Sequence, residues 1–215
     1  MLAHLMGAVV GAFIAVAVSI FGPIREGAIV PASIPAPQEA PSPREAPRIL
    51  FVGDVMLGRR VETLANEYGA SYPFRHVSDE VALADYAVAN FEGTVSDPHV
   101  HTPDLTYRFS VSEDLFREVK GSGFDAISLA NNHSLDYGVP AFLNTTRLCE
   151  RYGIVCGGDA SSPNLASTTV ARIGGERVGF LYLVAIGDDP VDIESVRSLM
   201  DELRGASDFQ VALVH

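Results

Sequence analysis

Phe124-Asp125-Ala126-Ile127-Ser128-Leu129-Ala130-Asn131-Asn132-His133-Ser134-Leu135-Asp136-Tyr137-Gly138 is the stretch whose reading decides the fold. Its first half is an apolar run and reads as a buried strand. A helix is expected from Val139 to Tyr152. Asn132, His133 and Asp136 therefore fall in the turn at the carboxyl end of a strand, where α/β sheets bind their ligands. An amide oxygen, an imidazole and a carboxylate together suit a metal or phosphate site. Asn and Asp are also ordinary turn and capping residues. On this stretch alone the plain turn has the edge, and the neighbouring segments must decide.

Upstream, Ile49-Leu50-Phe51-Val52 is a short apolar run that ends in Gly53-Asp54, a strand delivering a carboxylate at its tip. Gly58 and Arg59 follow, then a helix to Tyr68. A second strand, Asp85 to Asn90, runs into Asn90-Phe91-Glu92-Gly93-Thr94. Strand, acid and Gly thus recur at Asp54 and Glu92, with a related turn at Asn132-His133. Three polar strand ends in one parallel-type sheet read as a shared site.

Asp97-Pro98-His99-Val100-His101-Thr102-Pro103-Asp104 contains an His-x-His pair flanked by acids. Its prolines and lack of periodicity read as a mobile loop rather than a metal site; an accessory metal is the alternative. Ser112 to Lys120 reads as a short helix capped by Ser112. Beyond the central turn, Gly153 to Gly158 reads as a short strand and tight turn. Thr168–Ile173 and Val178–Val184 read as a hairpin across Gly174-Gly175. Asp188 and Asp189, beside Pro190, read as turn formers. Ile193–Leu203 is expected as a helix and Gln210–Val214 as a buried strand, with His215 at its carboxyl end. A domain stopping on such a strand reads as C-terminally truncated.

The formal net charge of -12 argues against a general nucleic-acid binder, which would carry a basic face. The two cysteines, Cys149 and Cys156, are too sparse for a disulfide scaffold. Two small buried residues is the preferred reading, with a disulfide as the alternative. No phosphate-binding Gly-x-x-x-x-Gly-Lys loop, dinucleotide fingerprint or Gly-x-Ser-x-Gly elbow is present.

Leu5 to Ile24 holds no Asp, Glu, Lys or Arg, and about 20 apolar residues span a bilayer as a helix. A cleaved signal peptide would carry a basic start and a shorter apolar core. The expectation is an uncleaved single-pass anchor over 1–24. A Pro/Ala-rich linker over 25–47 and a folded domain over 48–215 follow.

Phe51-Val52-Gly53-Asp54-Val55-Met56-Leu57-Gly58-Arg59, Ala89-Asn90-Phe91-Glu92-Gly93, Gly123 through Gly138 and Val214-His215, in this order, resemble the CapA (PgsA) family of bacterial capsule or poly-γ-glutamate synthesis proteins. That family looks related to the calcineurin-like metallophosphoesterases. The resemblance implies a layered α/β/β/α sandwich. It implies Asp54, Glu92, Asn132 and His215 as ligands of a divalent metal (Mn, Fe, Zn or Mg). His133 would face the substrate, oriented by Asp136 or a backbone carbonyl. It further implies synthesis or export of an anionic polymer, at the cell membrane and with the globular part outside the cytoplasm. Capsule synthase subunits are candidate partners. Phosphoester hydrolysis and non-catalytic polymer binding are the alternatives. One departure stands out: the metallophosphoesterases carry a histidine two residues after the first Asp, and here that position is Met56, a poor ligand for hard cations.

Overall fold

A computed structural model describes residues 46–186 and 190–215. The first sheet holds four parallel strands, β1 (Ile49–Val55), β2 (Tyr86–Phe91), β3 (Ala126–Ser128) and β4 (Val155–Gly157), in spatial order 1-2-3-4. Parallel neighbours need crossover connections, usually helical. Here α1 (Arg59–Tyr68) and α2 (Ser78–Val81) link β1 to β2. Then α3 (Glu113–Gly121) precedes β3, and α4 (Gly138–Tyr152) precedes β4. Successive strand residues face opposite sides. Ala87, Ala89 and Phe91 of β2 pack with Leu115, Phe116 and Val119 of α3 and with Phe142 and Leu148 of α4. Tyr86 and Val88 face the other way.

That other face meets a second sheet. β5 (Ser167–Ile173) and β6 (Glu176–Leu183) form the antiparallel hairpin, turning at Gly174 and Gly175 with φ of 59° and 101°. β7 (Phe209–Val214) returns parallel to β6 after α5 (Ile193–Ala206). Val178, Phe180 and Tyr182 point at Val88 and Ala126 of the first sheet. Leu181 and Leu183 point at Leu203 of α5. Phe180 and Tyr182 are fully buried, each side chain contributing about 2–3 kcal/mol of apolar transfer. Two glycines permit the close approaches. A Cβ on Gly157 would lie 2.0 Å from the Tyr182 ring, and one on Gly179 would lie 2.6 Å from Leu203. The layers are helix, sheet, sheet, helix, as the sandwich expectation requires.

Several expectations are corrected. Among the described residues no helix is long and apolar enough to cross a membrane. A transmembrane helix preceding the sandwich, the membrane as partner and a single-pass location at the cell membrane therefore gain no structural basis and are withdrawn. The stretch expected to span, residues 5–24, lies outside the described residues, as do nearly all of the linker and Asp188 and Asp189. Cys149 on α4 and Cys156 on β4 form a disulfide, against the reading of two unlinked buried residues. Gly153, in the left-handed region at φ 68°, folds β4 back beneath the helix end. The two Cα atoms come to 6.2 Å, within disulfide range.

Candidate functional site at the strand tips

The site begins with an irregularity in β1. Phe51 pairs with Val88, but Asp54 pairs with Asn90, so three steps along β1 match two along β2. One extra residue in a strand bends it and re-aims its side chains. Asp54 thus comes beside Asn90, whose Nδ2 donates to Asp54 Oδ1 at 2.7 Å. Asn90 Nδ2 also lies 3.2 Å from His215 Nδ1, and Asn90 Oδ1 accepts from Asn131 Nδ2 at 3.1 Å. Asn131 is 1% exposed. Its Nδ2 also donates to the Phe91 carbonyl at 2.8 Å, and its Oδ1 accepts from the His133 backbone N–H at 3.0 Å. One buried amide therefore ties the end of β2 to the turn after β3.

His215 follows β7 and reaches across from the second sheet. Its Nε2 is 2.8 Å from Asn132 Oδ1. An amide oxygen only accepts, so Nε2 carries the proton and Nδ1 accepts from Asn90. His133 Nδ1 is 2.9 Å from Asp136 Oδ2, which also accepts from the Phe109 backbone N–H at 2.6 Å. The Phe109 ring lies against the imidazole at 4.1 Å between centroids. With Nδ1–H given to Asp136, His133 turns Nε2 toward Glu92, 3.7 Å away. Glu92 accepts no side-chain hydrogen bond among the described residues. Burial pushes its carboxyl above the usual carboxylate range; the Asp54 charge adds to this, and His133, His215 and Arg59 oppose it.

Asp54, Glu92, Asn132, His133, Asp136 and His215 are thus gathered at one end of the two sheets. Sequence reasoning gave no role to Asn90, Asn131, Arg59, Arg108 or Phe109. Arg59 Nε donates to the Thr106 carbonyl at 2.8 Å, and the guanidinium stacks on Tyr107 and Phe109. Arg108 Nε donates to the Asp136 carbonyl at 2.9 Å and stacks on Tyr137. The signal for Asn90 was present: it continues the Tyr86, Val88 face of β2, on which it is the one amide. Met56 lines a neighbouring cleft of about 310 Å³ with Arg59, Arg60, Val61 and Asp104.

Two carboxylates, an amide oxygen and an imidazole are the donor types of a hard or borderline divalent cation. The desolvated Glu92 beside Asp54 leaves negative charge for a cation to offset. Among the described residues, however, no three His, Cys, Asp or Glu side chains are arranged to hold a metal ion. His215 lies between Asp54 and Asn132, with Nδ1 3.8 Å from Asp54 Oδ1 and Nε2 2.8 Å from Asn132 Oδ1. The His-x-His pair does not join the site. His99 and His101 both grip Glu62 of α1, so the segment expected as a mobile loop is pinned.

Residues 48–204 match the family described as bacterial capsule synthesis protein PGA_cap. The capsule biosynthesis protein CapA of Bacillus anthracis is 38% identical over 99 residues, 45% of this chain and 24% of that protein. The PGA biosynthesis protein CapA of Bacillus subtilis is 32% identical over 96 residues, 44% of this chain and 25% of that protein. The matched part spans about a quarter of these curated relatives. A crystal structure of a novel phosphatase from Mycoplasma pneumoniae superposes with a TM-score of 0.50 at 15% identity, covering 79% of this chain and 55% of that one. That likeness is one of fold.

Proposed function

The chain belongs to the PGA_cap family of bacterial capsule synthesis proteins, and from that premise we propose that it acts in making or exporting an anionic surface polymer. We place the action at the strand-tip cluster. Asp54, Glu92, Asn132 and His215 would hold a divalent cation once the hydrogen bonds linking them give way. Such a cation polarises a phosphoryl or carbonyl oxygen. His133 is the group that meets the substrate: Asp136 holds its Nδ1–H, which leaves Nε2 to accept a proton or, when charged, to donate to an anionic oxygen.

The observation that carries this reading is the half-buried, hydrogen-bond-poor Glu92 set beside Asp54 and 3.7 Å from His133 Nε2. Phosphoester hydrolysis is the chemistry this arrangement suits best. A second reading, a polymer-binding scaffold without catalysis, draws on the self-satisfied network of Asn90, Asn131, Asn132 and His215.

The test is metal content of the purified chain after incubation with Mn²⁺ and dialysis, alongside turnover of an activated phosphodiester. Near-stoichiometric metal that disappears in Asp54→Ala and Asn132→Ala supports the metal reading. No metal in the wild type sinks it and leaves the scaffold.

A further inference from the structure

Glu62 lies on α1, one turn beyond Arg59, and is 3% exposed. It takes no part in the strand-tip cluster, yet both its oxygens are engaged. Oε1 meets His99 Nε2 at 2.6 Å and Oε2 meets His101 Nδ1 at 2.5 Å. A carboxylate only accepts, so each imidazole donates to it. His99 Nδ1 then accepts from Ser110 Oγ at 3.1 Å, and Ser110 Oγ accepts from Ser96 Oγ at 2.6 Å. One proton on each ring satisfies the whole chain. Burying a carboxylate is costly unless it is paired and hydrogen-bonded, and a surface loop does not ordinarily require such an anchor.

The anchored segment continues to the site. Thr102, next to His101, receives the Ser110 backbone N–H at 2.9 Å and donates to the Arg108 carbonyl at 3.1 Å. That closes residues 102–110 on themselves, so the histidine end cannot shift without moving Arg108 and Phe109. Phe109 gives its N–H to Asp136 Oδ2, the oxygen that orients His133, and lays its ring on the imidazole. Arg59 grips the same segment at the Thr106 carbonyl. The geometry points to Glu62 as a positioning residue for His133: through His99 and His101 it fixes the strap 97–109, and the strap's Phe109 fixes the Asp136–His133 pair. This rests on the strand tips being the functional site, but it concerns the placement of His133 and not its reaction.

The test is nitrogen NMR of the histidine rings in the full chain without metal, with hydrogen exchange of the Phe109 amide. Glu62→Ala and the milder His101→Ala, whose parent side chain is half-exposed, should both shift the His133 ring signals and lower Phe109 protection. His215, held by Asn90 and Asn132 rather than by the strap, should keep its signals. Glu62→Gln, whose amide oxygen accepts from one ring while its N–H group faces the other donor, should fall between wild type and Glu62→Ala. His133 signals that remain in place in His101→Ala, with Phe109 protection reduced, would overturn the proposal: the strap would then be pinned without positioning the site. Shifts at His133 and His215 together would also overturn it, since they report general loosening. A wild type that binds no Mn²⁺ leaves these readouts intact, so failure of the metal reading is separate from failure of this one.

Discussion

Glu62 and Asp136 are both carboxylates that hold imidazoles, and the fold places them differently. Glu62 sits under the strap, 3% exposed, with a histidine on each oxygen. Asp136 sits at the mouth of the site, sharing one oxygen between His133 and the Phe109 amide. In the first arrangement both imidazoles give a proton to the carboxylate, and the nitrogen left over on His101 belongs to a half-exposed ring outside the strand-tip cluster. The second leaves one imidazole nitrogen turned outward. The difference teaches that residue type and proximity do not separate an anchor from a working group; what is left unsatisfied does.

If that contrast is correct, Glu62→Ala should carry the largest stability loss, roughly 3 kcal/mol, because it removes two charge-assisted hydrogen bonds from a buried carboxylate. Asp136→Ala should cost about 1–2 kcal/mol, since a single oxygen serves both the His133 ring and the Phe109 amide. Denaturant midpoints would compare them. A larger loss for Asp136 would invert the relation, with the strap hanging on the site. The next effect concerns the support behind the turn. Cys149 and Cys156 are separated by seven positions and close a short loop at the far end of α4. Replacing both by Ala should cost about 2 kcal/mol in the chain-entropy account, with His133 ring signals unchanged. A His133 shift would mean that the site turn is set from α4 as well as from the strap.

Glu92 sharpens the contrast because it has what Glu62 lacks, an unmet carboxylate. Burial first, then Asp54, raises its folded pKa. A raised pKa means that its contribution to metal-free stability is present below the ordinary carboxylate range and is lost as pH rises through the raised value. Glu92→Gln should therefore melt above wild type in chelator at neutral pH and converge with it in acid. Mn²⁺ should reverse the neutral-pH order, since the wild type gains a ligand and the variant lacks one. A wild type that melts higher in chelator would show Glu92 to be already partnered, as Glu62 is.

Much of the frame was legible because it rests on local pattern. The apolar runs before Asp54, Glu92 and Asn132 gave the strands and the polarity of their tips. Gly174-Gly175 gave the hairpin. What stayed hidden depends on pairing at a distance. Glu62 lies 37 and 39 residues from its histidines, so the His-x-His pair looked like a free loop. The extra residue in β1 became visible only through its register with β2. Asn90 read as the last residue of a strand and Asn131 as part of an Asn-rich turn, because an amide's role is set by neighbours on other strands. The disulfide was undecided by spacing alone, since its closure needs the left-handed turn at Gly153.

The smallest effect should come from an exposed carboxylate at the edge of the second sheet. Asp208 faces Arg177 at the surface, with Oδ1 2.7 Å from Nη2 and Oδ2 accepting the Arg177 backbone N–H at 2.9 Å. The guanidinium and backbone hydrogen bonds hold its carboxyl at about 2, below the usual carboxylate range. A depressed folded pKa means stability that is present above the unfolded value and is lost as pH falls through about 2. Asp208→Asn should therefore lower the melting temperature slightly at pH 5 and lose that difference as the pH approaches 2. Solvent screens such exposed pairs, so the loss at pH 5 should fall well below that of Asp136→Ala. An equal loss would mean that the pairing of β6 with β7, which carries His215 into the site, depends on this ion pair and that exposure is a poor guide to which carboxylates matter here.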